Sequence, residues 1–168
     1  MSTAIVDRPE NKTTSDNSVT GESEPVVVAK GFRLVENKAA QSADMYIYDD
    51  IGPAWAGMVS AKGVVQALAG LGEVKTINVR INSPGGDVFE GLGIYNALKA
   101  NGAKIVVHID GMAFSAASFI AMVGDEINIA ENGMMMVHEG SAMVWGKSKD
   151  MTDMAGILDQ INSQIVGT

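Results

Sequence analysis

The stretch TINVRINSPGGDVFEGLGIYNALKA, residues 76–100, reads as strand, tight turn and helix in immediate succession. The run from Thr76 to Gly86 is a strand ending in a glycine turn, and a helix from about Asp87 to Ala100 carries Val88, Leu92, Tyr95 and Leu98. The pattern then repeats. KIVVHIDG gives a strand from Lys104 to Asp110 and a turn at Gly111, and MAFSAASFIAMVG, residues 112–124, gives a second helix of small residues. Two such units in tandem imply right-handed βαβ crossovers, hence an α/β fold on a largely parallel sheet.

Upstream, DMYIYDD from Asp44 to Asp50 alternates in the manner of a strand. Ser60 caps a helix through Leu71 whose apolar positions are Val64, Val65, Leu68 and Leu71, with Gly70 and Gly72 bracketing its end. Residues 1–25 are a polar leader, apart from the apolar Val26-Val27-Val28 that follows it, and cannot bury enough surface to offset chain entropy; we expect disorder there and one domain over 26–168. Downstream come a short strand EINIA from Glu126 and a second, GMMMVHE, that delivers His138. A closing helix is capped by Ser148 or Asp150 and carries Met151, Met154, Ile157, Leu158, Ile161 and Ile165.

Composition narrows the chemistry. The chain has 168 residues, 46% of them hydrophobic, and the part beyond the leader is long enough for one core. With no cysteine and two histidines, His108 and His138, we expect no metal and no cofactor. The net charge of −8 is spread along the chain, so no nucleic-acid partner is expected, since phosphate binding needs clustered Lys and Arg. No signal-peptide-like or membrane-spanning run is present in the sequence, which leads us to expect no membrane and a cytoplasmic setting.

Ligand sites of open α/β sheets lie beyond the carboxyl ends of the strands, where both glycine turns fall. Ser83-Pro84-Gly85-Gly86 exposes consecutive backbone amides just before a helix, which makes an anion hole. Ser115 opens the next helix among Ala113, Ala116 and Ala117, small neighbours that admit close approach. A serine hydroxyl needs a base to become a nucleophile, and His138 stands on the strand placed beside the Ser115 helix. Each feature also has a plainer reading: SPGG as an ordinary connection, Ser115 as packing, His138 as a surface group. His108, inside its strand, is read as structural or solvent-facing. Met134 to Met136, Met143, Met151 and Met154 are read as filling core and subunit contacts. Gly86, Gly91 and Gly93 do not make a P-loop, because Leu92 stands where that motif needs Lys.

Taken together, INSPGGDVFEGLGIYNAL, DGMAFSAASFIAMVGDEI and ENGMMMVHEG, in this order and spacing, resemble the Clp-protease proteolytic subunit and, more closely, the head-maturation (prohead) proteases of tailed phages. The resemblance runs from about Asp44 to the C-terminus. It implies a Clp/crotonase-type fold of repeated ββα units with a C-terminal handle helix, and peptide hydrolysis through an acyl-enzyme without a need for ATP. It carries the nucleophile onto Ser115, the base onto His138, and the oxyanion donors onto the backbone N–H groups of Gly86 and Ala116. Phe114 occupies a position where the family commonly has a small residue, which narrows the crevice. The family's third triad member, an acid, follows the handle helix, and the sequence ends before that position, so the handle reads as cut short.

The implied partners are a protein substrate, the capsid or scaffolding protein of a phage head, and, where the handle is complete, further copies of the chain in a ring. Two other functions fit less well. A Clp-like scaffold protein, catalytically impaired, would keep the fold without the triad acid, and a crotonase-like acyl-CoA enzyme would use paired amides but would not need Ser115 and His138 together.

Overall fold

The computed structural model describes residues 25–167. The leader expected over residues 1–25 therefore lies, except for Pro25, outside the described residues. Seven strands form one sheet: β1 (Pro25–Ala29), β2 (Phe32–Asn37), β3 (Ser42–Ile47), β4 (Thr76–Ser83), β5 (Lys104–Phe114), β6 (Glu126–Ile129) and β7 (Met134–Met136). Four α-helices accompany them: α1 (Ala61–Ala69), α2 (Val88–Lys99), α3 (Ala116–Ala121) and α4 (Ser148–Val166).

The strands lie in the order β1 to β6, with β7 also paired to β5. The first three run antiparallel as a meander, and the β3–β4, β4–β5, β5–β6 and β5–β7 pairs are parallel. The sheet is thus parallel where the sequence pattern places the βα units. The meander enters through β2, which the sequence reading did not resolve.

The period of two decides which face is buried. Ile77, Val79, Ile81 and Ser83 of β4, with Ile105, Val107 and Ile109 of β5 and Met45 and Ile47 of β3, point into one core with Val64 and Ala67 of α1 and Ile94 and Leu98 of α2. The helical stripes differ in detail from the expected ones. Val65 is exposed, and Ala67 takes the buried place instead, because only one flank of α1 meets the sheet. Ser60 does cap α1, its hydroxyl accepting from the Gly63 amide at 3.1 Å. On the opposite face Tyr48, Arg80 and Asp110 form a network: the Tyr48 hydroxyl and the Arg80 guanidinium both donate to the Asp110 carboxylate.

The turn expected at Gly111 does not form. β5 continues through it to Phe114, because its first half pairs with β6 and its last three residues pair with Met134 to Met136 of β7. Gly111 instead makes room: a Cβ there would lie 2.6 Å from the Asn82 side-chain oxygen, which accepts from the Met112 amide at 3.2 Å. The second helix is correspondingly short, α3 beginning only at Ala116.

The small residues here also serve helix packing. A Cβ on Gly91 of α2 would touch Ala116 of α3 at 3.1 Å, so the two helices approach closely. Among the methionines, Met135 packs against the core, whereas Met134, Met136, Met143 and Met151 are exposed; of the expected core and subunit contacts, the single chain shows no core role for these four. His108 is half-buried on the polar face of β5, as expected. The cap of α4 is Lys147. Asp150, expected as a cap, lies in the first turn and accepts from the Lys147 amide, while Ser148 is the first helical residue.

Candidate active site

The site is assembled where β4 and β5 end. At the end of β4 the chain must reverse into α2 within four residues, and the two glycines allow it. Gly85 has φ +94° and Gly86 φ +143°, the left-handed side of the backbone map that L side chains avoid. Their surroundings forbid a side chain as well. A Cβ on Gly85 would meet the Phe114 carbonyl at 2.4 Å, and one on Gly86 the Ile51 carbonyl at 2.0 Å. Ile51 grips this turn from the other side: its amide donates to the Gly85 carbonyl, and its carbonyl accepts from the Asp87 amide, both at 2.8 Å. Asp87 then caps α2, its carboxylate accepting from the amides of Phe89 and Glu90. Among the described residues the Gly86 amide has no acceptor in the chain.

At the end of β5 stands Ser115, with φ +53° and ψ −123°. Apart from Gln41 it is the one non-glycine residue with positive φ among those described. Such a conformation costs about 1–3 kcal/mol and survives only where the surroundings enforce it. Here the Ser115 amide donates to the Met136 carbonyl of β7 at 2.8 Å, and its carbonyl receives the Ser118 hydroxyl at 2.6 Å. The serine is thus held on a strand-to-helix elbow, the arrangement that lifts a nucleophile clear of its strand. Ala116, as the first residue of α3, has no carbonyl one turn earlier to receive its amide.

β7 brings the histidine. Because β7 pairs with the last residues of β5, the segment after Met136 leaves the sheet beside Ser115, and His138 lies on it, exposed to solvent. Its Nδ1 is 2.6 Å from the Glu139 carbonyl oxygen. A carbonyl can only accept, so in the neutral ring Nδ1 carries the hydrogen and Nε2 keeps the lone pair. Among the described residues no carboxylate is hydrogen-bonded to this ring.

Gly86, Ser115, Ala116 and His138, the four residues singled out in the sequence, all line one cavity of about 430 Å³. Phe114 is not on its wall and so does not narrow it. The far wall is α4, through Met154, Leu158, Ile161 and Ile165, with Phe119, Met122 and Met135 completing a mainly apolar lining. The Asn162 side chain ties α4 to the histidine segment by accepting from the Gly140 amide at 2.7 Å.

Sequence reasoning missed two features. The amphipathic stripe of α4 signalled a buried face but not that the face would wall the site. Ser83 is given no role of its own in the sequence reading although it continues the buried series Ile77, Val79, Ile81. No group of acidic or histidine side chains among the described residues is arranged to hold a metal ion.

Chemically, a hydroxyl on a strained elbow, an imidazole with a free Nε2 and unengaged amides line one mainly apolar cavity. That set suits attack on a carbonyl, with the amides receiving the charge that develops on oxygen.

The chain is similar in sequence and fold to known proteins. The Clp proteolytic subunit of Deinococcus radiodurans is 36% identical over 77 residues, which cover 45% of this chain and 38% of that protein. The corresponding subunit of Bacteroides fragilis is 28% identical over 93 residues, 54% of this chain and 45% of that one. The matches thus span less than half the length of these curated relatives. A ClpP1 mutant from Listeria monocytogenes superposes with a TM-score of 0.62 at 21% identity, over 76% of this chain and 68% of that one, and so shares the fold. The family model described as Clp protease matches residues 33–168, and with most of its length inside that match the chain belongs to the Clp protease family.

Proposed function

We propose that the chain is a serine endopeptidase that works without ATP, with Ser115 as nucleophile and His138 as general base. The observation that carries the reading is Ser115 itself, kept at positive φ on the wall of the one cavity that also holds His138 and the Gly86 and Ala116 amides. In this reading Nε2 of His138 takes the Ser115 proton as Oγ attacks the scissile carbonyl. The two amides receive the oxyanion, and the proton passes to the leaving amine. Water then repeats the sequence on the acyl-enzyme.

The Glu139 carbonyl stands where a triad carboxylate would hold the ring. It fixes the same tautomer but, being neutral, stabilises the imidazolium less, so turnover is slow beside a full triad. That neutral partner also favours a second reading, a scaffold protein with the fold and little activity.

For substrate and setting we propose the capsid or scaffolding protein of a phage head, cleaved during maturation. Support comes from INSPGGDVFEGL and SFIAMVGDEI, which resemble the prohead branch more than the housekeeping subunit. We also propose that copies of the chain associate into a ring. The exposed Met143 and Trp145 beside α4 support this.

The test is labelling with a fluorophosphonate probe and intact mass. We expect one adduct, on Ser115, lost in Ser115→Ala and strongly slowed in His138→Ala. A folded wild-type protein that takes no label would sink the peptidase reading in favour of the scaffold.

A further inference from the structure

Ser83 is fully buried at the end of β4, and its hydroxyl is used in both directions. It donates to the Asp49 carbonyl at 2.8 Å and accepts from the Gly85 amide at 3.1 Å. A buried hydroxyl is kept where its partners are fixed, since an unsatisfied one would be costly. Asp49 lies two residues before Ile51, whose amide and carbonyl hold Gly85 and Asp87. The glycine turn is therefore clamped at three successive peptide units: Gly85 N–H by Ser83, Gly85 C=O by Ile51, and Asp87 N–H by Ile51. The one donor the clamp leaves unengaged is the Gly86 N–H, on the cavity wall. It shares a peptide plane with the Gly85 carbonyl that Ile51 holds, and the planes before and after are held by Ser83 and Ile51, so its direction is fixed too. Pro84 adds to the restraint, because its ring locks φ and it has no amide hydrogen to compete.

We infer that Ser83 is a positioning residue for the oxyanion hole, holding the Gly86 amide aimed at the oxygen that develops charge in the reaction of Ser115. The inference rests on the peptidase reading. Ser83 touches neither His138 nor the cavity, so it acts through the turn alone. Two consequences separate this from a merely structural role. Loss of the Ser83 hydroxyl weakens species that carry an oxyanion and leaves ground-state binding unchanged. It also leaves the pH dependence of acylation where it was, because the base is untouched.

The experiment uses the full chain as wild type, Ser83→Ala and Ser83→Cys, with Ser115→Ala as the unreactive reference. Rates of Ser115 phosphonylation by the fluorophosphonate, which displaces fluoride and places a P–O oxygen at the amides, are measured across pH. Inhibition by a peptide aldehyde, whose adduct with Ser115 presents an oxygen to the amides, is compared with binding of the matching peptide alcohol, which forms no adduct. Removing an oxyanion donor outright costs about 100- to 1,000-fold, and misaiming one is expected to cost about tenfold. Ser83→Ala should therefore be phosphonylated about tenfold more slowly and bind the aldehyde about tenfold more weakly, with alcohol binding and the pH midpoint unmoved. Ser83→Cys keeps the side-chain shape with a slightly larger, weakly hydrogen-bonding sulfur, and should fall between; it decides the matter if the alanine protein does not fold. Folded variants that are phosphonylated at the wild-type rate, or that lose aldehyde and alcohol binding equally, overturn the role of Ser83 while leaving the peptidase reading intact. A wild type that is never labelled overturns both.

Discussion

Ser115 concentrates the strain of the site in one residue. Its positive φ is imposed from outside by the bond from its amide to Met136 and by the Ser118 hydroxyl on its carbonyl. A residue without Cβ would relax there, so Ser115→Gly should abolish labelling and raise stability by about 1 kcal/mol in urea denaturation, whereas Ser115→Ala should abolish labelling without that gain. Tyr48 makes a second prediction on the opposite face. Burial, and then its bond to Asp110, hold the Tyr48 phenol above its usual value near 10. The folded state thus favours the neutral phenol. Its contribution is complete below the unfolded value and is lost as pH rises through the higher folded value. Tyr48→Phe should flatten the loss of stability above about pH 10, read as the urea midpoint against pH.

At the scale of elements, the site depends on how β4 hands over to α2 and how β5 hands over to α3. The first junction is capped by Asp87, which stands directly after Gly86 and accepts two amides of the first turn of α2. Asp87→Ala should cost about 1 kcal/mol in urea denaturation and slow labelling of Ser115, because the fraying turn carries the Gly86 amide with it. The second junction was only half legible. The Ser115 motif and its small neighbours pointed to an elbow, but the sequence placed the turn at Gly111, since glycine after a strand is an ordinary stop signal. What keeps the strand going is pairing with β7, a contact between residues twenty or more apart that local pattern does not encode. The same holds for Val65 of α1: the helix was recognisable, but which apolar residue faces the sheet depends on where the helix is laid.

For the molecule as a whole, the proposed ring is the remaining test. Met143 and Trp145 are fully exposed on the segment before α4, and the proposed ring assigns them to its contact surface. Trp145→Ser combined with Met143→Ser should reduce self-association in sedimentation velocity without changing monomer stability; unchanged sedimentation would remove this surface from the assembly. The sequence by itself determined the parallel βα core, since strand and helix periods and glycine turns are local properties of the chain. It also named Ser115, His138, Gly86 and Ala116, through motifs whose order and spacing identify a family. Only the tertiary structure decided that these four share a cavity, that α4 walls it, that the Glu139 carbonyl holds the histidine ring, and that Ser83 underpins the glycine turn. Each of these is a meeting of segments distant in sequence or a matter of backbone direction, and is fixed by packing and hydrogen bonding after the elements have formed.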